Sequence, residues 1–289
     1  MNGKKVFVFC CITLVCMGCS KSTDDLIKDL YSDSPSIRFQ GALALERKND
    51  DRDVKEVVEK VIDVLDDENE QAVFIATQVL GSLKDPMAVE SLGKMVSHQN
   101  LNIRAKACWS LGNIKDGSAL PHLLKGLKDP EGDVRFAAVF ALGLLEYLPA
   151  LEHIYPMSRD SVDSVRVAVI QSLYRYRDVK GSNVSASDFA ALITDKNDRV
   201  RYVAVQALGG KLEEVRKWES TDRKIAGEML IEALEDNNIF VRFEAIKSLG
   251  MIKYKEAIPA LKRIRETSSI DEEVKIDQAI KKILEEASL

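Results

Sequence analysis

The 289-residue chain is short of several things, and each shortage excludes a class of protein. Its 15 Gly and 7 Pro are too few for a turn-rich β-sandwich. Histidine occurs three times, and no Gly-rich phosphate loop, Gly-x-Ser-x-Gly elbow or Cys/His dyad is visible, so no catalytic constellation stands out. Lys and Arg number 41 against 46 Asp and Glu, giving a net charge of −5 and no basic surface of the kind a dedicated nucleic-acid binder needs. Cysteine is nearly confined to the start: Cys10, Cys11, Cys16 and Cys19 precede residue 20, and Cys108 stands alone in the body. What is plentiful is Leu, Ala, Glu, Lys and Ile, with 46% apolar and 30% charged residues. That is too apolar for a disordered chain and too charged for a polytopic membrane protein.

The first residues have the pattern of an export signal. Lys4 and Lys5 precede an apolar run over residues 6–15, soft and small residues follow, and the chain turns polar at 20–22. The whole run over 6–18 is 13 residues, short of the about 20 that span a bilayer. Cys16-Met17-Gly18-Cys19 resembles a bacterial lipoprotein signal, in which a small residue precedes the cysteine that becomes the lipidated N-terminus. The Leu usual three places before that cysteine is Cys16 here. The resemblance implies removal of residues 1–18, a diacylglyceryl thioether on Cys19 and a further acyl chain on its freed amine. It also implies an address at the bacterial envelope. Ser20 resembles outer-membrane sorting in enteric bacteria, with the body on the periplasmic or surface face. Several acyl chains anchor stably because each buried CH₂ contributes about 0.8 kcal/mol. A mature chain would carry 39 basic and 46 acidic residues, a net charge of −7, and one thiol, so no internal disulfide. Residues 19–23 would be lipidated terminus and tether. Four residue steps from Cys19 to a first helix at Thr23 reach at most about 14 Å, which would hold the body close to the membrane.

From residue 24 to 289 one unit repeats. The motif Asp-x4-Val-Arg-x2-Ala-x2-Ala/Ser-Leu-Gly appears from Asp129, Asp160, Asp195 and Asp236, and Asn102 to Gly112 fits without the Asp. Weaker copies give anchors at Ile37, Val73 and Val274 beside Ile103, Val134, Val165, Val200 and Val241, with a modal gap near 31. Phe136, Val139 and Leu142, like Phe243, Ile246 and Leu249, follow the spacing of one wide apolar helix face. The Gly after the Leu predicts a helix stop. A second helix follows, with Pro121 or Pro259 in its first turn. Each copy is therefore expected to be an antiparallel helix pair of about 10–14 residues per helix. The Asp is expected to cap the next helix or to pair with an Arg of the same or adjacent copy. The last helix should turn Val274, Ile280, Ile283 and Leu284 inward and Lys275, Asp277, Lys281, Lys282 and Glu285 to solvent.

This pattern resembles the HEAT-repeat superfamily, in particular the short subclass found in phycobilisome lyases. The resemblance implies an all-α fold, a right-handed superhelical solenoid of about eight hairpins. It also implies a concave face free to bind a protein. Deoxyhypusine hydroxylase belongs to this repeat class and draws its iron ligands from His-Glu pairs directly after the repeat's Arg. Those places here hold Phe136-Ala137, Val167-Ala168, Tyr202-Val203 and Phe243-Glu244, so that activity does not carry over.

Candidate contact residues lie where the copies differ. Trp109 and Phe140 occupy, in adjacent copies, a place that is polar in Gln171, Gln206 and Lys247, and they are expected side by side as core boundary or binding patch. The gap between Val200 and Val241 carries a charged insertion, residues 210–224, with Trp218. His122 and His153 are 31 residues apart, in equivalent places on successive second helices. Stacked helices lie about 9–10 Å apart, wide for one shared metal, and no cluster at ligand spacing completes a site. The concave face is expected along the second helices, with Glu90, Lys94, His122, Lys125, Glu152, His153, Asp188, Glu232 and Arg263 as its polar residues. The expected function is a lipid-anchored extracytoplasmic scaffold for a protein partner, without cofactor, metal or nucleic acid. The alternatives are a lyase-type enzyme or its accessory subunit, and a purely structural envelope component.

Overall fold

The computed structural model describes residues 21–50, 54–210 and 220–285. Cys19 and Trp218 lie outside them. The described residues form sixteen α-helices joined by turns and 3₁₀ segments, with no strand among them. The chain divides after Leu145 into two compact units.

The first unit holds α1 (Thr23–Leu30), α2 (Pro35–Glu46), α3 (Val54–Asp63), α4 (Glu70–Leu83), α5 (Val89–Met95), α6 (Leu101–Ile114), α7 (Leu120–Gly126) and α8 (Gly132–Leu145). The second holds α9 (Leu151–Ile154), α10 (Asp163–Tyr176), α11 (Ala190–Ile193), α12 (Asp198–Leu208), α13 (Ser220–Glu232), α14 (Ile239–Met251), α15 (Ile258–Arg265) and α16 (Ile270–Leu284). In each unit long helices stack side by side in chain order, and a layer of mostly shorter helices covers their other side. Neighbours satisfy one another's apolar faces, as solenoid repeats do.

The long helices fix the period. They start at Glu70, Leu101, Gly132 and Asp163, each 31 residues after the last, and again 31 apart at Ile239 and Ile270. This moves two anchors. The third residue of α4 is Ala72, one place before Val73, and the third residue of α16 is Glu272, two places before Val274. Val274 is accordingly 51% exposed and Leu284 is exposed as well, while Ile276, Ala279 and Ile283 face the core. The weak copies misled because Ala72 and Glu272 are not Val.

The repeat glycine is also corrected. Gly81, Gly112 and Gly143 lie inside their helices, which end two residues later, and Gly250 one residue from its helix end, while Gly209 is the stop expected of it, directly after Leu208. The left-handed residue that closes the turn is Lys84, Lys115, Glu146 or Lys253. Glycine is required for helix contact: a Cβ on Gly112 would lie 2.7 Å from Ala141 Cα and 2.8 Å from its Cβ. The helices of the covering layer are shorter than expected at most places, because a 3₁₀ turn takes their first residues. That turn is capped at Asp85 and Asp116, whose carboxylates accept the Met87 and Ser118 N–H groups. Pro121 and Pro259 sit in the first turn of α7 and α15.

Two polar ladders run along the stack. Arg104 grips Asp129 through Nε and Nη2 at 2.7 and 3.0 Å, Arg166 grips Asp195 at 2.7 and 2.8 Å, and Arg201 grips Asp236 at 2.6 and 2.8 Å. Glu272 takes the Asp role for Arg242, at 3.0 and 2.9 Å. In the same repeat Nη1 of each arginine donates to the backbone before its helix, as Arg166 does to Asp160 O at 2.8 Å and Arg201 to Asp195 O at 2.9 Å. Each Asp thus serves the arginine of the preceding copy. The helix cap is Asn instead: Asn100, Asn197 and Asn238 accept the N–H two residues on. Their amides donate back to Glu70, Asp163 and Asp198 of the previous long helix at 2.8, 3.1 and 2.6 Å.

Candidate functional site

Within each unit the long helices approach at backbone distance along their lengths, whereas the covering helices meet one another sparsely. Hairpins packed closer on one side open toward the other, so each unit's inner face is the long-helix face. The expectation that the second helices line it is corrected by this packing. Glu90 and Arg263 lie on the opposite, wider side and pair with His122 and Glu235 at 3.2 Å.

Side chains two and six places after each anchor point from the long helices to that inner face. In the first unit this brings Trp109 and Phe140 together, with ring centroids 4.5 Å apart. Phe136 completes a triad, 6.0 Å from Trp109 and 6.2 Å from Phe140. All three are half-buried, so their edges reach solvent. Phe136 was expected in the core; the signal that places it outside is its register, one residue after Arg135 and four before Phe140. Beside the triad, Lys106 Nζ lies 5.0 Å over the Phe74 ring. Phe74 and Ile75 then lead into a groove of about 620 Å³ against α2, where Phe39 is 61% exposed.

The corresponding face of the second unit is polar and charged. Gln206 donates to the Tyr202 hydroxyl at 3.1 Å, which lies 3.4 Å from the buried carboxylate of Glu244. Lys247 Nζ bridges both Glu244 oxygens at 3.2 Å. Burial first, and the Glu244 charge second, raise the Tyr202 hydroxyl above its ordinary pKa. Tyr202, Glu244 and Lys247, with Phe243, line a hollow of about 410 Å³.

The two candidate histidines have different surroundings. His122 Nε2 lies 3.2 Å from Glu90, and its buried Nδ1 has no hydrogen-bond partner because the ring lies flat against Gly93, where a Cβ would come within 2.3 Å. His153 pairs with its neighbour Glu152 at 3.4 Å. Among the described residues no group of three or more His, Cys, Asp or Glu side chains could hold a metal ion, and no helix is long and apolar enough to cross a membrane. Cys108 is buried between α7 and α8, and burial pushes its thiol up to about 12.

The ladder carboxylates are held ionised. At Asp129, Asp195 and Asp236 burial alone would raise the pKa. Hydrogen bonds from the arginine of the preceding repeat and from a backbone N–H outweigh it and leave each below the usual carboxylate range. Glu272 behaves alike beneath Arg242.

No protein of curated function matches the chain. Among solved structures it is similar to the E. coli protein YibA, with a TM-score of 0.63 and 19% identity over 98% of this chain and 99% of that one. The phycocyanin lyase complex of CpcE and CpcF from Nostoc gives 0.46 and 20% over 92% and 96%. Human deoxyhypusine hydroxylase gives 0.40 and 18% over 94% and 99%. Residues 58–143, 120–209 and 187–280 match HEAT repeats, and with its 31-residue helix pairs and Arg–Asp ladder the chain belongs to the HEAT-repeat family.

Proposed function

We propose that this HEAT-repeat chain is a non-catalytic scaffold that docks a protein partner on its long-helix face. We further propose that it is held on the extracytoplasmic side of a bacterial membrane by lipid on Cys19. The observation that carries the docking half is the Trp109–Phe136–Phe140 triad, three large rings within 6.2 Å and half-exposed on an otherwise regular surface. Clustered aromatics with solvated edges are the usual anchors of protein interfaces. The anchoring half rests on Lys4, Lys5, the apolar run over 6–15 and Cys19.

Each half has its own experiment. A photocrosslinking residue placed at Lys106 in cells should capture a defined protein, and Trp109→Ala with Phe140→Ala should abolish the capture. Unchanged capture by the double variant would overturn the docking surface. Cys19→Ala should move the protein from the membrane pellet to the soluble fraction. Pelleting that persists with residues 1–18 removed would overturn the anchor.

A further inference from the structure

The last two long helices of the second unit, α14 and α16, carry a surface unlike the aromatic triad. Phe240 is 67% exposed, and Phe243 lies half-buried beside it. Lys275 Nζ sits 4.8 Å over the Phe243 ring, and Lys282 lines the same hollow about two turns further along α16. The one carboxylate in this hollow, Glu244, has both oxygens engaged by Lys247. Among the described residues no carboxylate lies within 4.0 Å of Lys275 or Lys282, while Arg265, Lys281 and Arg263 nearby all have acidic partners. The hollow therefore offers two ammonium groups over an aromatic floor, with no ion-pair partner among the described residues, on a chain whose net charge is −5.

We propose that this surface docks an acidic segment of a partner protein, with carboxylates on Lys275 and Lys282 and an apolar side chain on Phe240 and Phe243. Charge complementarity selects the segment, since two ammonium groups side by side on one helix gain most from carboxylates. The aromatic floor selects an apolar residue among them, which a bare anion does not supply. Its volume of about 410 Å³ suits a few side chains rather than a folded domain. This inference rests on the scaffold reading and adds a second docking surface to it, independent of the triad.

The test is fluorescence anisotropy of the full chain with a labelled peptide in which one Phe is flanked on each side by three Glu. A matched peptide with Gln for Glu is the control. The acidic peptide should bind at low salt and lose about tenfold in affinity between 50 and 500 mM salt. Lys275→Glu with Lys282→Glu should weaken it by about tenfold or more, Phe240→Ala should weaken both peptides, and Lys128→Glu should leave binding unchanged. All four positions are solvent-exposed, and unchanged circular dichroism would show that the fold is kept. Equal binding of the Gln peptide, undiminished binding by the double lysine variant, or no binding at 50 mM salt would overturn the proposal. Binding to vesicles of one part phosphatidylglycerol in three parts phosphatidylcholine, lost in the same variant while the peptide fails to bind, would also overturn it. If Lys106 crosslinks still depend on Trp109 in any of these cases, the scaffold reading stands and only this surface is withdrawn.

Discussion

Arg166 on α10 reaches across 29 residues to hold Asp195 before α12 through two parallel hydrogen bonds of 2.7 and 2.8 Å, and both side chains are more than nine-tenths buried. The arginine has a third anchor in the Asp160 carbonyl, and the aspartate a second in the Asn197 N–H. Removing Asp195 leaves a guanidinium buried without its counter-ion. Asp195→Ala should therefore cost about 3–5 kcal/mol, against less than about 1 kcal/mol for the exposed pair of Arg263 and Glu235. Urea unfolding of the two variants measures the difference. Hydrogen exchange should place the loss in α10 and α12, because a solenoid repeat touches its neighbours and little else.

The ladder also sets an acid limit. The carboxylates of Asp129, Asp195, Asp236 and Glu272 sit below their ordinary pKa in the folded state. Groups with depressed folded pKa values contribute stability that is complete above the unfolded value, near 4, and is lost as pH falls through the folded values. The melting temperature should be insensitive to these groups above about pH 5 and should fall steeply below about pH 4. A scan from pH 7 to pH 2 checks this, and Arg201→Gln should flatten the acid limb.

Gly112 offers a test in which helix propensity and packing oppose each other. Alanine is better than glycine inside a helix by about 1 kcal/mol. At position 112 its methyl would press on Ala141 Cα at 2.7 Å, which only a shift of α8 can relieve. Gly112→Ala should thus lower the melting temperature, while Gly132→Ala at the first residue of α8 should not. Calorimetry of both decides which effect wins.

The triad should behave as a coupled pair as well as a surface. With centroids 4.5 Å apart at 44°, Trp109 and Phe140 should show a coupling of about 0.5–1.5 kcal/mol in a double-mutant cycle to alanine. A coupling near zero would mean the rings merely border one another.

Cys108 should be silent. With its thiol pushed up to about 12 and no exposed surface, alkylation followed by peptide mass spectrometry should find it unmodified at pH 8 in buffer and fully modified in urea.

The fold was legible because its strongest repeats state the period outright. Val134, Val165, Val200 and Val241, each followed by Arg, mark the third residue of a long helix without exception. The register failed where the anchor residue changed, at Ala72 and Glu272, since a pattern sought as Val slid to the nearest Val. The helix ends failed for a different reason. Glycine marks the stop only at Gly209; at Gly81, Gly112 and Gly250 its lack of a side chain serves the neighbouring helix, and a lysine takes the left-handed turn, or Glu146 after Gly143. The contact between Trp109 and Phe140 followed from their common place in adjacent copies, because a 31-residue period puts equivalent positions next to each other. Lys275 and Lys282 are on the solvent side as their spacing predicts, but the exposed edges of Phe136 and Phe243 were not legible, since helical spacing alone does not say where the apolar stripe stops and the solvated edge begins. The Asn ladder was open to discovery, as Asn precedes the anchor by three places at 69, 100, 197 and 238.

Because α4, α6 and α8 begin at intervals of 31 residues and each is joined to the next by a polar contact, an Asn–Glu bond at the first junction and an Arg–Asp pair at the second, the stack is modular in a literal sense. Excising residues 101–131 would join Asn100 to Gly132 and leave a cap, a helix and a covering turn in their usual sequence. Length in such a molecule can be shortened or extended a whole copy at a time, without redesign of the copies on either side of the change.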